Sequence, residues 1–174
     1  MNLSPETDCA MEEPAIRPGL YWTVKESFVS YVASTAGGAY WHSPEVRVDD
    51  TGTFHFPLAR AEATAAGWTL RCRGDVRFSG HFGMMFVAVV DPWLTIPASG
   101  TQAELSIDDV SAPGKRITIA TFEPAEPLPY RGHLVWPPLV PCIEPAGVEL
   151  FGGAYARGAQ LDPLKIAVRA NDIS

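Results

Sequence analysis

The chain predicts an all-β domain, a mainly antiparallel β-sandwich-like fold with one or two short α-helices. Three observations carry that expectation. Apolar and polar residues alternate with a period of two along much of the chain, sixteen prolines and fifteen glycines punctuate those runs, and helical spacing stands out in one stretch near the start. At 174 residues the chain has the length of one ordinary domain, and it holds no internal repeat. A single domain over 20–171 is expected. Residues 1–19, with Glu6, Asp8, Glu12 and Glu13, read as a disordered acidic leader.

The helical stretch comes first. Val24, Ser27, Phe28 and Tyr31 recur at i, i+3, i+4 and i+7, so one face presents two apolar residues with a serine hydroxyl and a phenol. Lys25 and Val29 point elsewhere, and Gly37-Gly38 offers a stop. An ordinary amphipathic helix with a half-buried tyrosine at its edge has the same spacing.

Strands follow. Phe54 to Leu58 is a short candidate. Trp68, Leu70 and Cys72 share one side of the next strand, and Thr69, Arg71 and Arg73 share the other. Val76 and Phe78 alternate with Arg77, Ser79 and His81, which sets His81 opposite the two apolar residues unless Gly80 introduces a bulge. Met84 to Val90 is apolar on both faces and reads as a central, fully covered strand. Ala103 to Ile107, Arg116 to Phe122, Val148 to Phe151 and Lys165 to Arg169 complete the set. The proline-rich stretch from Glu123 to Pro145 reads as a long ordered loop.

Three stretches carry a resemblance. Leu20-x-Trp22-x-Val24-Lys-Glu-Ser27-Phe28-x-x-Tyr31-Val32, then Val76-Arg-Phe78-Ser-Gly80-His81-Phe-Gly83, then Phe151-Gly-Gly-Ala-Tyr155-x-x-Gly158-x-x-Leu161-Asp162-Pro163 resemble, in order, the motifs of the HtaA (haem-transport-associated) domain family of actinobacteria. The resemblance covers residues 20 to about 168. It implies a mainly β domain that binds haem b, with Tyr31 as the axial ligand to ferric iron and His81 as the hydrogen-bond partner of that tyrosine. It also places Ser27, Phe28 and Tyr155 in the haem site, Ser27 and Tyr155 near the propionates. Two positions depart from the family pattern. Ala154 stands where an aromatic residue is common, and Thr23 replaces a small glycine after Trp22.

The chemistry of such a pair is coherent. A free phenol has a pKa near 10, and the form that binds ferric iron is the phenolate, so metal charge and a donated hydrogen bond must favour it. An imidazole supplies the bond and fixes the ring. Gly80 and Gly83 remove bulk on both sides of His81, as approach to a flat ligand requires, although a bare surface-strand histidine or a bulge fits the same residues. His42, His55 and His133 lack such a setting and read as structural or exposed, His55 on the solvent face between Phe54 and Phe56.

The net charge of −7 disfavours nonspecific contact with nucleic acid or an anionic membrane surface, and no apolar run is long enough to span a bilayer. Cys9, Cys72 and Cys142 are odd in number and show no paired spacing, so a disulfide framework, a zinc site and covalent haem attachment lack support. With no basic start or apolar core at the N-terminus, the chain as encoded points to the cytoplasm. A piece trimmed from a longer exported or cell-surface protein reads identically. The leading expectation is a haem carrier or reservoir, with a haem donor or acceptor protein and a homodimer as partners. A second is an intracellular haem enzyme that admits a small substrate beside Ala154. A third is a haem-free β-sandwich that binds another protein.

Overall fold

The computed structural model describes residues 15–174, so residues 1–14 of the expected leader, with Cys9, lie outside the described part. In chain order the elements are β1 (Gly19–Trp22), α1 (Glu26–Ser34), β2 (Ala39–His42), β3 (Arg47–Val48), β4 (Phe54–Thr64), β5 (Gly67–Cys72), β6 (Asp75–Gly80), β7 (Met85–Val90), β8 (Trp93–Pro97) and β9 (Ala103–Asp108). They continue with β10 (Arg116–Phe122), β11 (Leu128–Tyr130), β12 (His133–Val135), β13 (Cys142–Ile143), α2 (Pro145–Leu150) and β14 (Lys165–Arg169). β1 begins one residue inside the expected leader. The C-terminal Ser174 is tied to the Ala61 carbonyl by both its amide and its hydroxyl, so the fold runs past 171 to the last residue.

Eleven strands form one long antiparallel sheet in the order β11-β12-β14-β1-β4-β5-β8-β9-β10-β13, with β3 attached to β4. β4 makes the turn of the sandwich. Its first half pairs with β1 and β3 and its second half with β5, and the register shifts between Leu58 and Arg60, where a bulge bends the strand. A separate three-stranded sheet, β2-β6-β7, closes the other side. Between them lies one core, in which Trp22, Phe54, Phe56, Phe78, Phe122 and Trp136 are the largest buried side chains. Each such aromatic contributes on the order of 2–3 kcal/mol by leaving water.

The alternation predicted this core well. Leu70 and Cys72 point in and Arg73 out, and Val76 and Phe78 point in while Arg77 stays exposed. Burial pushes the Cys72 thiol up to about 12, so it stays protonated and packs as an apolar group.

Four expectations fail. Met84 to Val90 is not a covered central strand: β7 is the edge of its sheet, and Met84 and Phe86 face solvent. Val148 to Phe151 is not a strand, because Pro145 opens the helix α2 there and supplies a first-turn residue that needs no amide partner. The loop from Glu123 to Pro145 contains β11, β12 and β13, and the one proline within these strands, Pro129, sits on the edge strand β11, where a missing N–H costs little. His55 is 7 % exposed, because the Tyr21 ring and the chain at Pro18 cover the outer face of β4. His42 and His133, which read as structural or exposed, stand on β2 and β12.

Candidate functional site

α1 begins later than its periodicity implied. Val24 is not on the helix; it takes a φ of 64°, a left-handed conformation that is rare for a β-branched residue and costs on the order of 1–3 kcal/mol. Full burial of its side chain and a hydrogen bond from the Asp162 amide to its carbonyl hold it there. Lys25, the N-cap residue, offers no side-chain cap. The carboxylate of Asp162 caps the helix instead, accepting from the Glu26 amide at 2.7 Å and from the Thr23 hydroxyl at 2.6 Å. Trp22 donates its indole N–H to the Asp162 carbonyl at 2.9 Å. Thr23, which departs from the family pattern, therefore has a definite partner. The first and last motifs meet at this cap.

Phe28 anchors the helix. It is 2 % exposed and sits edge-on between Phe78 at 5.3 Å and Phe151 at 5.2 Å. Expected among the ligand-binding residues, it lies in the core and holds α1 in place rather than facing outward. The solvent-side flank of the helix carries Ser27 and Tyr31, roughly 6 Å apart along the axis and both exposed.

Tyr31 meets His81. The phenol oxygen lies 2.6 Å from the His81 Nε2 across a sequence separation of 50 residues. One contact serves two protonation states: a phenol donates to a neutral imidazole nitrogen, and an Nε2–H donates to a phenolate. The approach depends on the backbone at the end of β6. His81, Phe82 and Gly83 form a 3₁₀ turn with φ values of 49°, 55° and 90°, which swings the imidazole off the strand alternation and toward α1. Gly80 makes room for this packing, since a Cβ there would come within 2.8 Å of the Thr35 Cγ2 and 2.7 Å of the Met85 Cε. The ambiguity over a bulge resolves into this left-handed turn.

The turn also exposes apolar groups. Phe82 is 84 % and Met84 87 % exposed, and the Phe82 ring lies against Gly37 just beyond α1. Together with Tyr31, itself 48 % exposed, they make an apolar shelf beside the Tyr31–His81 contact.

A second polar pair lies at the other end of the helix face. The Ser27 hydroxyl and the Tyr155 phenol are 3.1 Å apart, and Tyr155 packs edge-on against Phe151. Lys25 belongs to this end, contrary to its expected outward direction. Its Nζ stands 5.2 Å over the Tyr155 ring and donates to the Gln160 carbonyl at 2.8 Å. Its extended φ of −157° places it off the helical period, which is why spacing misdirected it. Ala154 is exposed.

All five expected site residues thus gather around α1, four on its outer side and Phe28 beneath it. Lys25, Phe82, Met84 and Asp162 join them. No group of three or more His, Cys, Asp or Glu able to hold a metal ion occurs among the described residues. No helix among the described residues is long and apolar enough to cross a membrane.

Fold and surface together define a β-sandwich domain with a helix-borne tyrosine steadied by a histidine from a neighbouring hairpin. The family model described as Htaa matches residues 18–167, and the chain belongs to the HtaA family. Solved structures share the fold. The N-terminal domain of HtaA from Corynebacterium glutamicum superposes with a TM-score of 0.69 at 21 % identity, covering 93 % of this chain and 99 % of that one. The C-terminal domain of the same protein gives 0.66 at 19 % identity, covering 87 % and 96 %. The haem-binding protein HtaB of that organism gives 0.65 at 17 % identity, covering 85 % and 90 %. No curated protein sequence matches.

Proposed function

We propose that this domain binds one ferric haem b through Tyr31 and serves as a haem carrier or reservoir in uptake or trafficking. The observation that carries the reading is the 2.6 Å contact between the Tyr31 oxygen and His81 Nε2 on an exposed apolar shelf. Membership of the HtaA family and the fold shared with a protein described as haem-binding support it.

The residues present fit the group. Bound haem supplies a ferric centre that favours an anionic oxygen donor. Tyr31 offers that oxygen, and His81 donates to it, stabilising the charged form and fixing the ring. Phe82 and Met84 give a flat hydrophobic body something to lie against. Ser27 and Tyr155 offer hydroxyl donors at the far end of the helix face, and Lys25 adds positive charge there, as carboxylates require. Half-exposed ligand groups on an open shelf suit capture and hand-over.

Titrating the apo protein with hemin tests this reading. A ferric-phenolate absorption spectrum is expected for the wild type and its loss in Tyr31→Ala; an unchanged spectrum in that variant removes the proposed ligand. Exposed Ala154 favours a second reading, an enzyme whose substrate enters beside it. Transfer of haem to apo-myoglobin without turnover of peroxide supports the carrier, and turnover without transfer supports the enzyme.

A further inference from the structure

A cavity of about 790 Å³ lies on the outer face of the long sheet and shares no residue with the Tyr31 shelf. Its volume falls within the range of small-molecule sites, roughly 300–1,000 Å³. Strand register explains how it is built. Lys165 on β14 pairs with Tyr21 on β1, Tyr21 pairs with His55 on β4, and His55 pairs with Arg47 on β3. Directly paired residues point to the same side of a sheet, so these four form one row across four strands. The row has a cation at each end and two aromatic rings in the middle, and it spans roughly 14 Å at the usual inter-strand spacing. The Tyr21 and His55 rings lie with centroids 4.5 Å apart at 37°.

The floor depends on a glycine. A Cβ on Gly19 would stand 2.7 Å from the His55 Nε2, so the bare backbone, at a φ of 141°, lets the imidazole lie down and bond to the Pro18 carbonyl. Arg17 joins Arg47 and Lys165 in the lining, and none of the three forms a salt bridge among the described residues. The one carboxylate there, Asp49, is engaged by Thr51 and Thr53, accepting both amides and the Thr51 hydroxyl. In a chain of net charge −7, three cations without acidic partners among the described residues, set over an aromatic floor, are out of keeping with the surface at large. His55 keeps an unpartnered, buried Nδ1, and burial together with the charges of Arg17 and Arg47 holds its pKa below the ordinary value, so it adds no charge of its own at neutral pH.

We propose that this cavity is a binding site for a planar aromatic carboxylate or sulfonate, its rings against Tyr21 beside the His55 edge and its acid group held by the flanking cations. Flat rings match the floor, and an organic anion matches the excess positive charge. The proposal is independent of haem binding at Tyr31.

Titration of the full chain with 2-naphthoate, followed by calorimetry and by backbone amide NMR shifts, tests it. Shifts are expected at Tyr21, His55 and Ala167 and not at Tyr31 or His81. Uncharged 2-naphthalenemethanol should bind about tenfold more weakly or worse. The double variant Arg47→Glu with Lys165→Glu should abolish the preference for the acid while retaining hemin binding and the wild-type melting profile. No binding by the wild type, equal binding of the acid and the alcohol, or shifts centred on Tyr31 and Phe82 would each overturn the assignment.

Discussion

Two of the tyrosine–histidine pairs among the described residues, Tyr31–His81 and Tyr21–His55, use the same residue types for opposite ends. In Tyr31–His81 the ring centroids are 6.0 Å apart and the polar atoms meet at 2.6 Å on the surface. In Tyr21–His55 the rings lie side by side and the polar atoms turn away from each other. The Tyr21 hydroxyl donates to the Arg17 carbonyl and accepts from its amide, and His55 Nε2 faces Pro18. Backbone geometry makes the difference. Direct cross-strand pairing brings Cβ atoms within about 5 Å and sets the rings side by side, here tilted at 37°, whereas a helix facing a left-handed turn lets two side chains meet tip to tip. Only the second arrangement leaves an oxygen presented outward with a proton donor behind it.

Removing the support beneath one pair should have the largest effect on that contrast. Phe28→Ala leaves a cavity between Phe78 and Phe151 and should cost about 3–5 kcal/mol in urea unfolding, whereas Tyr31→Ala should change stability by no more than about 0.5 kcal/mol. Equal losses would mean that Tyr31 is a packing residue. His81→Ala should weaken hemin binding about 10- to 100-fold and speed haem loss, with the phenolate spectrum still detectable. Retention equal to wild type would remove its supporting part. Asp162→Ala strips the cap from α1 and should lower stability by about 1 kcal/mol, read by thermal melting, with a smaller loss of hemin affinity.

The smallest effect sharpens the other pair. His55 has a folded pKa below its ordinary value, because burial first and then the charges of Arg17 and Arg47 disfavour the imidazolium. The folded state thus holds fewer protons than the unfolded chain. The stabilisation is complete above the unfolded value near 6.5 and is lost as pH falls through that value toward the folded one. The wild type should melt at lower temperature at pH 5.5 than at pH 7.5, and His55→Phe, which keeps a ring on Tyr21, should show a smaller decline. An equal decline in both would place the sensitivity elsewhere.

Much of this was legible in the chain. The period-two runs locate β5, β6, β9, β10 and β14, and the motif resemblance groups Ser27, Tyr31, His81 and Tyr155, which meet in the pairs Ser27–Tyr155 and Tyr31–His81. Misreadings share a physical cause. Met84 and Phe86 look like core by composition, and nothing local distinguishes an apolar edge strand beside a site from a covered one. His55 looked exposed because its cover, Tyr21 and Pro18, comes from far along the chain. Phe28 sits on the predicted face, yet a helix lying on a sheet has two sides, and period alone does not say which of them the ligand would occupy. Lys25 was misplaced because the helix starts one residue after it.

The cap on α1 has one more consequence. Glu26, Thr23 and Trp22 all depend on Asp162, across separations of 136, 139 and 140 residues. A nascent polypeptide emerging from the ribosome therefore carries Tyr31 and His81 long before the carboxylate that seats the Tyr31 helix. The seating of α1 therefore waits on the synthesis of position 162, and a product cut off before it would hold the Tyr31 helix less firmly.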